Sequence, residues 1–512
     1  MHCGASLADD VDRLRVQADR FEQMERWSQA VTTRLELAER LEEPSERAEQ
    51  FHSVGRIQQE QLGDPAAAAQ SFDRALDADP SKLGAFESLD QLLVETGDLI
   101  EQARSYRRMI RRAIESSAEE RVVIALARNL AELNRTHLKQ PDAALDAIQL
   151  ILERAPDDLW AIESAAQLHE ELDDAPQAIE YHRRLLEIDP RLVESYRALR
   201  RVFLKEERYD AGWCICRVLS VLGQANTDEL TFYERYATTS PTRAERPLQA
   251  AHWPLLDHQS KSPLLDELFA RVCDALISLL AVPAKSLGIK RRRDLIDLAV
   301  STRFTNVLGY LFEFLPVPPV EVFRCPEIQG MRPAIFEPPA LLVHPDEMEE
   351  DLYHLAFVGG RYLTGLRPAH LFACSVADRA ERRAYMLGLL RTLRATFDPE
   401  AGDLEHDPTL REALRRNLPP QATRALEELV QRMNEQPRLH FDIDRWLRAV
   451  DLTADRVGFI FANDLEKALA NIRTGDASRV VPTVGERATE LIRYAYSEEY
   501  FQVRRLIGHN ID

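Results

Sequence analysis

Residues 174–190 read DAPQAIEYHRRLLEIDP, and the same design stands at 140–156, QPDAALDAIQLILERAP, and at 64–80, DPAAAAQSFDRALDADP. Small residue, bulky residue, apolar residue and closing proline recur in step. Pro156 and Pro190 lie 34 residues apart, while Pro80 and Pro156 lie 76 apart, room for two longer units. In the 34-residue frame the unit ending at Pro190 places Ile162, Ala165, Ala166 and His169 on a first helix, then Ala178, His182 and Leu185 on a second. The next unit offers Tyr196, Leu199, Phe203, Tyr209, Gly212, Cys216 and Leu219 at the matching places. Small and large side chains alternate because two packed helices must approach closely at one level and fill the gap at another.

Over about residues 15–225 the chain resembles tetratricopeptide repeats, some five units with degenerate outer members. The resemblance implies an α-solenoid whose inner surface is lined by the first helix of each pair, because one such unit cannot bury its apolar face alone. It also implies a protein or peptide partner rather than a reaction. The groove-facing positions are Trp160, Glu163, Gln167, Glu170 and Glu171 in one unit and Glu194, Arg197, Arg201 and Lys205 in the next, so an acidic unit adjoins a basic one. Repeats of this family that clamp a chaperone's terminal carboxylate use Lys and Asn at several of these places, and that set is missing here.

The bulk composition bounds the rest. A chain of 512 residues, 45% hydrophobic and 29% charged, is long enough for two or three domains. Its N-terminal stretch has no apolar core of a secretory signal, and no run of 18 apolar residues occurs, so no membrane span and a cytoplasmic location are expected. Six scattered cysteines suit reduced thiols, and Cys214 and Cys216 read as small apolar residues on a helix face. A net charge of −20 argues against nucleic acid as a partner. The dense basic run Lys290–Arg293, KRRR, reads as a solvated edge at the start of a helix.

Beyond about residue 240 the period stops. TTSPTRAERP (238–247) is a connector, and prolines crowd 316–345 so that no long helix fits there. The apolar runs VEVFRC (320–325), PAIFE (333–337) and ALLVH (340–344) predict two or three strands, and an amphipathic helix follows through LAFVGGRYLTGL (355–366). The glycines of its VGG mark close packing by another element. A small sheet followed by a helix of this pattern weakly resembles a gluzincin-type zinc peptidase domain. The family's LAFVLGHELAH helix, laid on 355–365, puts Arg361 at the first histidine, Tyr362 at the general-base glutamate and Gly365 at the second histidine. All three HExxH functions are thereby lost: arginine repels a dication, glycine offers no ligand atom and tyrosine is a poor base near neutrality. His344, His354 and His370 do not restore a one-turn pair. The resemblance therefore implies a pseudoprotease, with no catalytic residue and no metal site.

Further helices are predicted at 378–397, 421–433, 441–472 and 485–507, with Trp446, Leu447 and Val450 on a buried face. Asp442, Asp444, Asp451 and Asp455 match no calcium loop and read as residues attracted to a helix start. No phosphate-cradling, dinucleotide, nucleophile-elbow or Cys-x-x-Cys motif is present. The order of parts is similar to that of large bacterial repeat proteins. These observations predict a mostly α chain: a repeat solenoid over 1–240, an α+β peptidase-like region over 241–400 and a helical region over 401–512 packed on it. The function expected is a non-enzymatic interaction scaffold or adaptor without cofactors. The alternative is a metallopeptidase-like hydrolase with unrecognised catalytic residues and repeat-based substrate selection.

Overall fold

The computed structural model describes residues 3–238, 240–398, 404–475 and 480–512, with side chains from residue 10 onward. The Cys3 side chain and Thr239 of the connector lie outside the described residues. The chain is mostly helical with one small sheet, and it divides into two compact units, Met1–Asp189 and Pro190–Asp512.

Unit 1 is a series of helical hairpins: α1 (Cys3–Gln23) with α2 (Trp27–Arg40), α3 (Pro44–Glu60) with α4 (Pro65–Ala78), α5 (Leu83–Thr96) with α6 (Leu99–Glu115), α7 (Glu120–Glu132) with α8 (Pro141–Arg154), and α9 (Leu159–Glu171) with α10 (Ala175–Ile188). First helices from α3 to α9 begin 39, 37 and 39 residues apart, the longer units that the Pro80 to Pro156 interval requires. Each hairpin turns through a left-handed residue two positions before its second helix: Glu25, Gly63, Gly97, Lys139 and Asp173. Aspartates then cap three of the second helices, with Asp64, Asp98 and Asp174 accepting from the N–H groups of Ala67, Glu101 and Gln177. Such a cap contributes about 1 kcal/mol.

The repeat is visible in the packing as well as the spacing. Gly55 of α3 lies flat on Phe72 of α4, and a Cβ there would come within 2.5 Å of the ring. Ile162, Ala165, Ala166, Ala178, His182 and Leu185 are buried, as the 34-residue frame requires, and His169 is half-buried with its ring stacked on Tyr181. Polar contacts join residues about one repeat apart: Lys82 to Glu49 at 3.1 Å, His52 to Ser88 at 3.0 Å, Arg112 to Asp73 at 2.8 Å and Arg135 to Glu171 at 2.8 Å. Nearest-neighbour contact between like units is the physical definition of a solenoid.

Unit 2 opens with one more hairpin, α11 (Val193–Lys205) and α12 (Tyr209–Val221), turned through left-handed Glu207, and then α13 (Thr227–Tyr236). Tyr196, Leu199, Phe203, Cys216 and Leu219 are buried as expected. Tyr209 is not: it begins α12 beside the turn and is 48% exposed. Cys214 and Cys216 are buried free thiols.

After the connector come α14 (Trp253–Leu256), α15 (Pro263–Leu280), α16 (Arg291–Asp294) and α17 (Arg303–Phe314). The basic run is exposed, but the helix expected after it is a single turn. Asp294 takes the N–H of Lys290 and the guanidinium of Arg293, and the chain then extends so that Leu295 bridges to Phe323. The first and third apolar runs of the proline-rich block form β1 (Glu321–Arg324) and β3 (Ala340–Val343), whereas β2 (Met331–Ala334) begins two residues before the second run and shares only Pro333 and Ala334 with it; the order is β1-β3-β2, with β1 parallel and β2 antiparallel to β3. Central β3 is wholly buried, and Pro333, which has no N–H to give, sits on edge strand β2.

The remaining helices are α18 (Leu352–Thr364), α19 (Leu371–Ser375), α20 (Arg379–Phe397), α21 (Pro408–Asn417), α22 (Pro420–Asn434), α23 (Pro437–His440), α24 (Ile443–Ala462), α25 (Leu465–Thr474), α26 (Val484–Ala495) and α27 (Glu498–Ile507). The helix expected over 441–472 is two helices, because Asn463 turns left-handed (φ 49°) after α24. The one expected over 485–507 breaks at Tyr496, where Ser497 caps α27. From Ala449 to Ala462 every residue of α24 is buried, so this helix is the axis of unit 2 and not a one-faced surface helix.

Candidate functional site

Two places in the molecule gather the residues singled out by sequence, and unit 1 holds the first. Glu163 is exposed on α9, and Gln167 and Glu171 beside it accept hydrogen bonds from Arg135 at 3.1 and 2.8 Å. Trp160 lies beneath the guanidinium of Arg128, 4.7 Å from the ring centre. Glu170 turns toward the second helix of its own hairpin, 2.9 Å from His182 Nε2. Three of the five residues thus face outward, one is covered and one is inside the hairpin. The same pattern of exposed carboxylates runs back along the first helices, with Glu49 and Glu60 on α3, Glu87 and Glu95 on α5 and Glu132 on α7; the exposed basic residues of these helices are Arg56 and Arg121.

The basic set belongs to unit 2. Glu194 pairs with Arg197 at 2.8 Å, and Arg197 reaches on to buried Glu229 of α13 at 3.2 Å and to the Gln224 carbonyl. Arg201 and Lys205 are exposed. Arg197 therefore fastens α11 to α13.

The second place is the crossing of α18 and α24, the region reached from the peptidase-like pattern. The glycines of VGG let the two backbones touch. A Cβ on Gly360 would stand 3.2 Å from Gly458 Cα and from the Val457 carbonyl oxygen, and one on Gly458 would stand 2.5 Å from the Phe357 carbonyl oxygen. Gly359 instead leaves room for the Leu311 side chain of α17, which a Cβ would approach to 2.5 Å. Because Gly360 is at the contact, its neighbour Arg361 is delivered onto α24, where Asp451 and Asp455 share one face four residues apart.

There Arg361 contacts Asp455 directly and lies 3.6 Å from Asp451. Arg382 of α20 donates to both oxygens of Asp451 at 2.9 and 3.1 Å, and Arg487 of α26 binds Asp455 with two parallel bonds of 2.7 and 2.8 Å. The N–H of Val481 completes the shell of Asp451 at 2.9 Å. Asp451 and Asp455 are 4% and 2% exposed. The helix-start reading holds for Asp442, whose side chain caps α24, and is corrected for Asp451 and Asp455, which are mid-helix counter-charges. Burial opposes the charge on Arg361, but Asp455 and Asp451 outweigh it and raise its pKa further.

A cavity of about 290 Å³ opens beside this cluster. Half-buried Tyr362 lines it. Gly365 ends α18 at its wall, so close to Cys374 that a Cβ would stand 2.7 Å from the cysteine's own. The Cys374 thiol has its pKa raised by burial, partly offset by Arg382, and stays protonated. His354 also lines the cavity, its Nε2 3.0 Å from Glu347. Burial disfavours its imidazolium, yet the hydrogen bond and charge of Glu347 prevail and the pKa lies above the usual value. His370 stands apart, fully buried with its ring edge-on to Trp446.

Among the described residues no group of three or more His, Cys, Asp and Glu side chains is placed to hold a metal ion, and no helix is long and apolar enough to cross a membrane. A buried Ser–His contact exists, Ser262 Oγ to His440 Nδ1 at 2.8 Å, but the same oxygen accepts the Leu265 N–H as the cap of α15. Sequence reading missed Arg382, Arg487 and the role of Asp451 and Asp455. The available signal was the one-turn spacing of two aspartates inside an otherwise apolar helix.

No family model and no curated protein matches the chain. Among solved structures it is similar to the MamA protein, with 14% identity over 37% of this chain and 88% of that one and a TM-score of 0.23. It is also similar to a tetratricopeptide repeat protein from Parabacteroides merdae (15% identity, 43% and 81% covered, TM-score 0.22). A third is PilF of Pseudomonas aeruginosa (16% identity, 45% and 99% covered, TM-score 0.21).

Proposed function

We propose that the chain is a non-enzymatic protein-interaction scaffold, and that unit 1 receives a basic, extended protein segment along its first helices. The observation that carries this reading is the run of exposed carboxylates on four consecutive first helices, Glu49 and Glu60, Glu87 and Glu95, Glu132, then Glu163 and Glu171. An extended segment carrying lysine or arginine meets a new carboxylate at each hairpin. Charges of this kind set association rate and selectivity more than raw affinity, so binding is salt-sensitive.

The same reading takes 1–240 as the recognition half, 241–400 as a degenerate peptidase-like region and 401–512 as helices packed on it, in a cytoplasmic protein without cofactor. Its support is the succession of small sheet and α18, with Arg361, Tyr362 and Gly365 where a peptidase carries its ligands and base. The guanidinium groups of Arg361, Arg382 and Arg487 supply the counter-charges of Asp451 and Asp455.

The test is fluorescence anisotropy of the full chain with a lysine- and arginine-rich peptide and with a glutamate-rich control. The basic peptide binds, and reversal of Glu87, Glu95, Glu163 and Glu171 to Lys weakens it at least about tenfold, or 1.4 kcal/mol. Equal binding of the control, or affinity untouched by the reversal, overturns the reading. Stoichiometric zinc in chelator-free protein, with peptide cleavage that chelation stops, would establish the hydrolase instead.

A further inference from the structure

Residues 282–296 carry five cations and one carboxylate, in a chain of net charge −20. The fold brings two more carboxylates to them: Glu321, 3.0 Å from Arg291, and Glu337, in the wall of a groove that Lys285 and Arg291 also line. Asp294 is taken by Arg293 at 2.6 Å and by the Lys290 N–H at 2.7 Å. Lys285 and Arg292 are exposed and, among the described residues, stand in no ion pair. This stretch of unit 2 therefore keeps a positive charge of its own, opposite to that of the whole chain.

The groove beside it, about 530 Å³, is pinned by the backbone. Val282 follows α15 and donates its N–H to the Ile335 carbonyl at 3.0 Å. Ala284–Leu287 make a single 3-10 turn that left-handed Gly288 (φ 71°) ends, and Ile289 returns with its N–H on the Ala284 carbonyl at 3.2 Å. Ile289 and Phe336 seal the floor at 5% and 1% exposure, while Val282, 44% exposed, and Pro283 stand open on the rim. An apolar step beside cations, on a fixed backbone, suits a chain segment that carries an apolar side chain next to an acidic one. Glu337 narrows the occupant further. A carboxylate in the wall repels the closely spaced phosphates of a nucleic acid or an anionic bilayer, and a concave surface does not meet a flat one. A peptide avoids both conflicts by placing a neutral residue at Glu337.

We propose that this groove docks an acidic peptide segment of a partner protein, with carboxylates on Lys285 and the Arg291–Arg292 turn and an apolar side chain on Val282. The site uses none of the first-helix carboxylates of unit 1, and either proposal stands or fails without the other.

Fluorescence anisotropy of the full chain with a labelled peptide of alternating glutamate and leucine tests it. Saturable binding at one site per chain is expected, and a peptide with serine in place of leucine binds about tenfold more weakly. Lys285→Glu with Arg292→Glu strands no partner and weakens the leucine peptide at least about tenfold. Val282→Ser keeps every charge and the N–H bond to Ile335 and weakens it about fivefold. Arg379→Glu with Arg424→Glu makes the same change in net charge at exposed positions elsewhere and leaves the affinity as it was. Each variant is checked for an unchanged melting curve. No saturable binding at millimolar peptide, an equal loss in the Arg379 and Arg424 pair, or binding that either groove variant leaves unchanged overturns the proposal. So does tighter binding to phosphatidylserine vesicles or a single-stranded oligonucleotide that Lys285→Glu with Arg292→Glu abolishes, which would give the face to lipid or nucleic acid. Salt-reversible self-association lost in that same variant would give it to a second copy and equally overturn the proposal.

Discussion

Arginines hold both units together, but by different means. In unit 1, Arg112 is 12% exposed and reaches Asp73 and Asp77 on α4, a contact between successive second helices at the surface. In unit 2, Arg361, Arg382 and Arg487 come from three helices onto two buried aspartates of a fourth. Because Asp73 and Asp77 stay open to solvent, pairs of this kind contribute about 0 to 1 kcal/mol each and act by repetition. A buried pair costs much to desolvate and much more to break, since removing one partner strands the other. A solenoid therefore tolerates change at any one contact, whereas in unit 2 three helices share the same two buried counter-charges of α24.

The sharpest test of this contrast is Asp455→Ala, which leaves Arg361 and Arg487 without their shared carboxylate. It should destabilise unit 2 by about 3–5 kcal/mol in denaturant unfolding, and hydrogen exchange should place the loss in α18, α24 and α26 and leave unit 1 protected. A loss of under about 1 kcal/mol would mean that the buried cluster behaves like a surface pair.

Acid sensitivity should likewise belong to unit 2. Burial, with the charges of Lys261 and Arg367, lowers the pKa of His370 to about 4, against a partial opposing pull from Asp266. The unfolded chain binds this proton near pH 6.5, so its contribution is present above that pH and is lost as the pH falls toward 4. The full term is at most about 3 kcal/mol, and His370→Phe should flatten that limb of the stability curve. An unchanged limb would assign it elsewhere, with His509, whose pKa burial also lowers to about 4, as the next group to replace.

A smaller effect comes from the crossing itself. Gly458→Ala puts a methyl against the Phe357 carbonyl and should cost about 1–3 kcal/mol by overpacking, with no change in charge. In unit 1, Arg112→Ala should cost about 1 kcal/mol or less, read as a small shift in denaturation midpoint that high salt erases. Last, Lys139→Gly should stabilise unit 1 by a few tenths to about 1 kcal/mol, because Lys139 holds a left-handed turn (φ 54°) without being glycine. A loss there would show that its side chain does more than occupy the turn.

The repeat array was legible because its signal is local and periodic. Ala165, Ala166 and Ala178 are small, and Ile162 and Leu185 large, at intervals that any hairpin of this kind requires. The turns were less legible, since left-handed residues recur at each one but only Gly63 and Gly97 are of the type that announces it. Tyr209 failed for a related reason: an aromatic residue at the first position of a helix satisfies the spacing without having a neighbour to cover it. In unit 2 the strands were readable from prolines and short apolar runs, and the packing role of VGG from glycines inside an apolar helix. The break at Asn463 was not, because the apolar period continues on either side of it.

By itself the sequence determined that the first part of the chain is a stack of helical hairpins, that a small sheet precedes an apolar helix, and that this helix carries Arg361, Tyr362 and Gly365. Only the tertiary structure decided what those residues do. Arg361 became the buried partner of Asp451 and Asp455, and Arg382 and Arg487 joined them from helices distant in sequence. The physical reason is that periodicity records which side of a helix avoids water, a property each segment carries alone. A buried charge is instead fixed by the counter-charge it meets, which depends on where two backbones can touch, and here that place is set by Gly360 against Gly458.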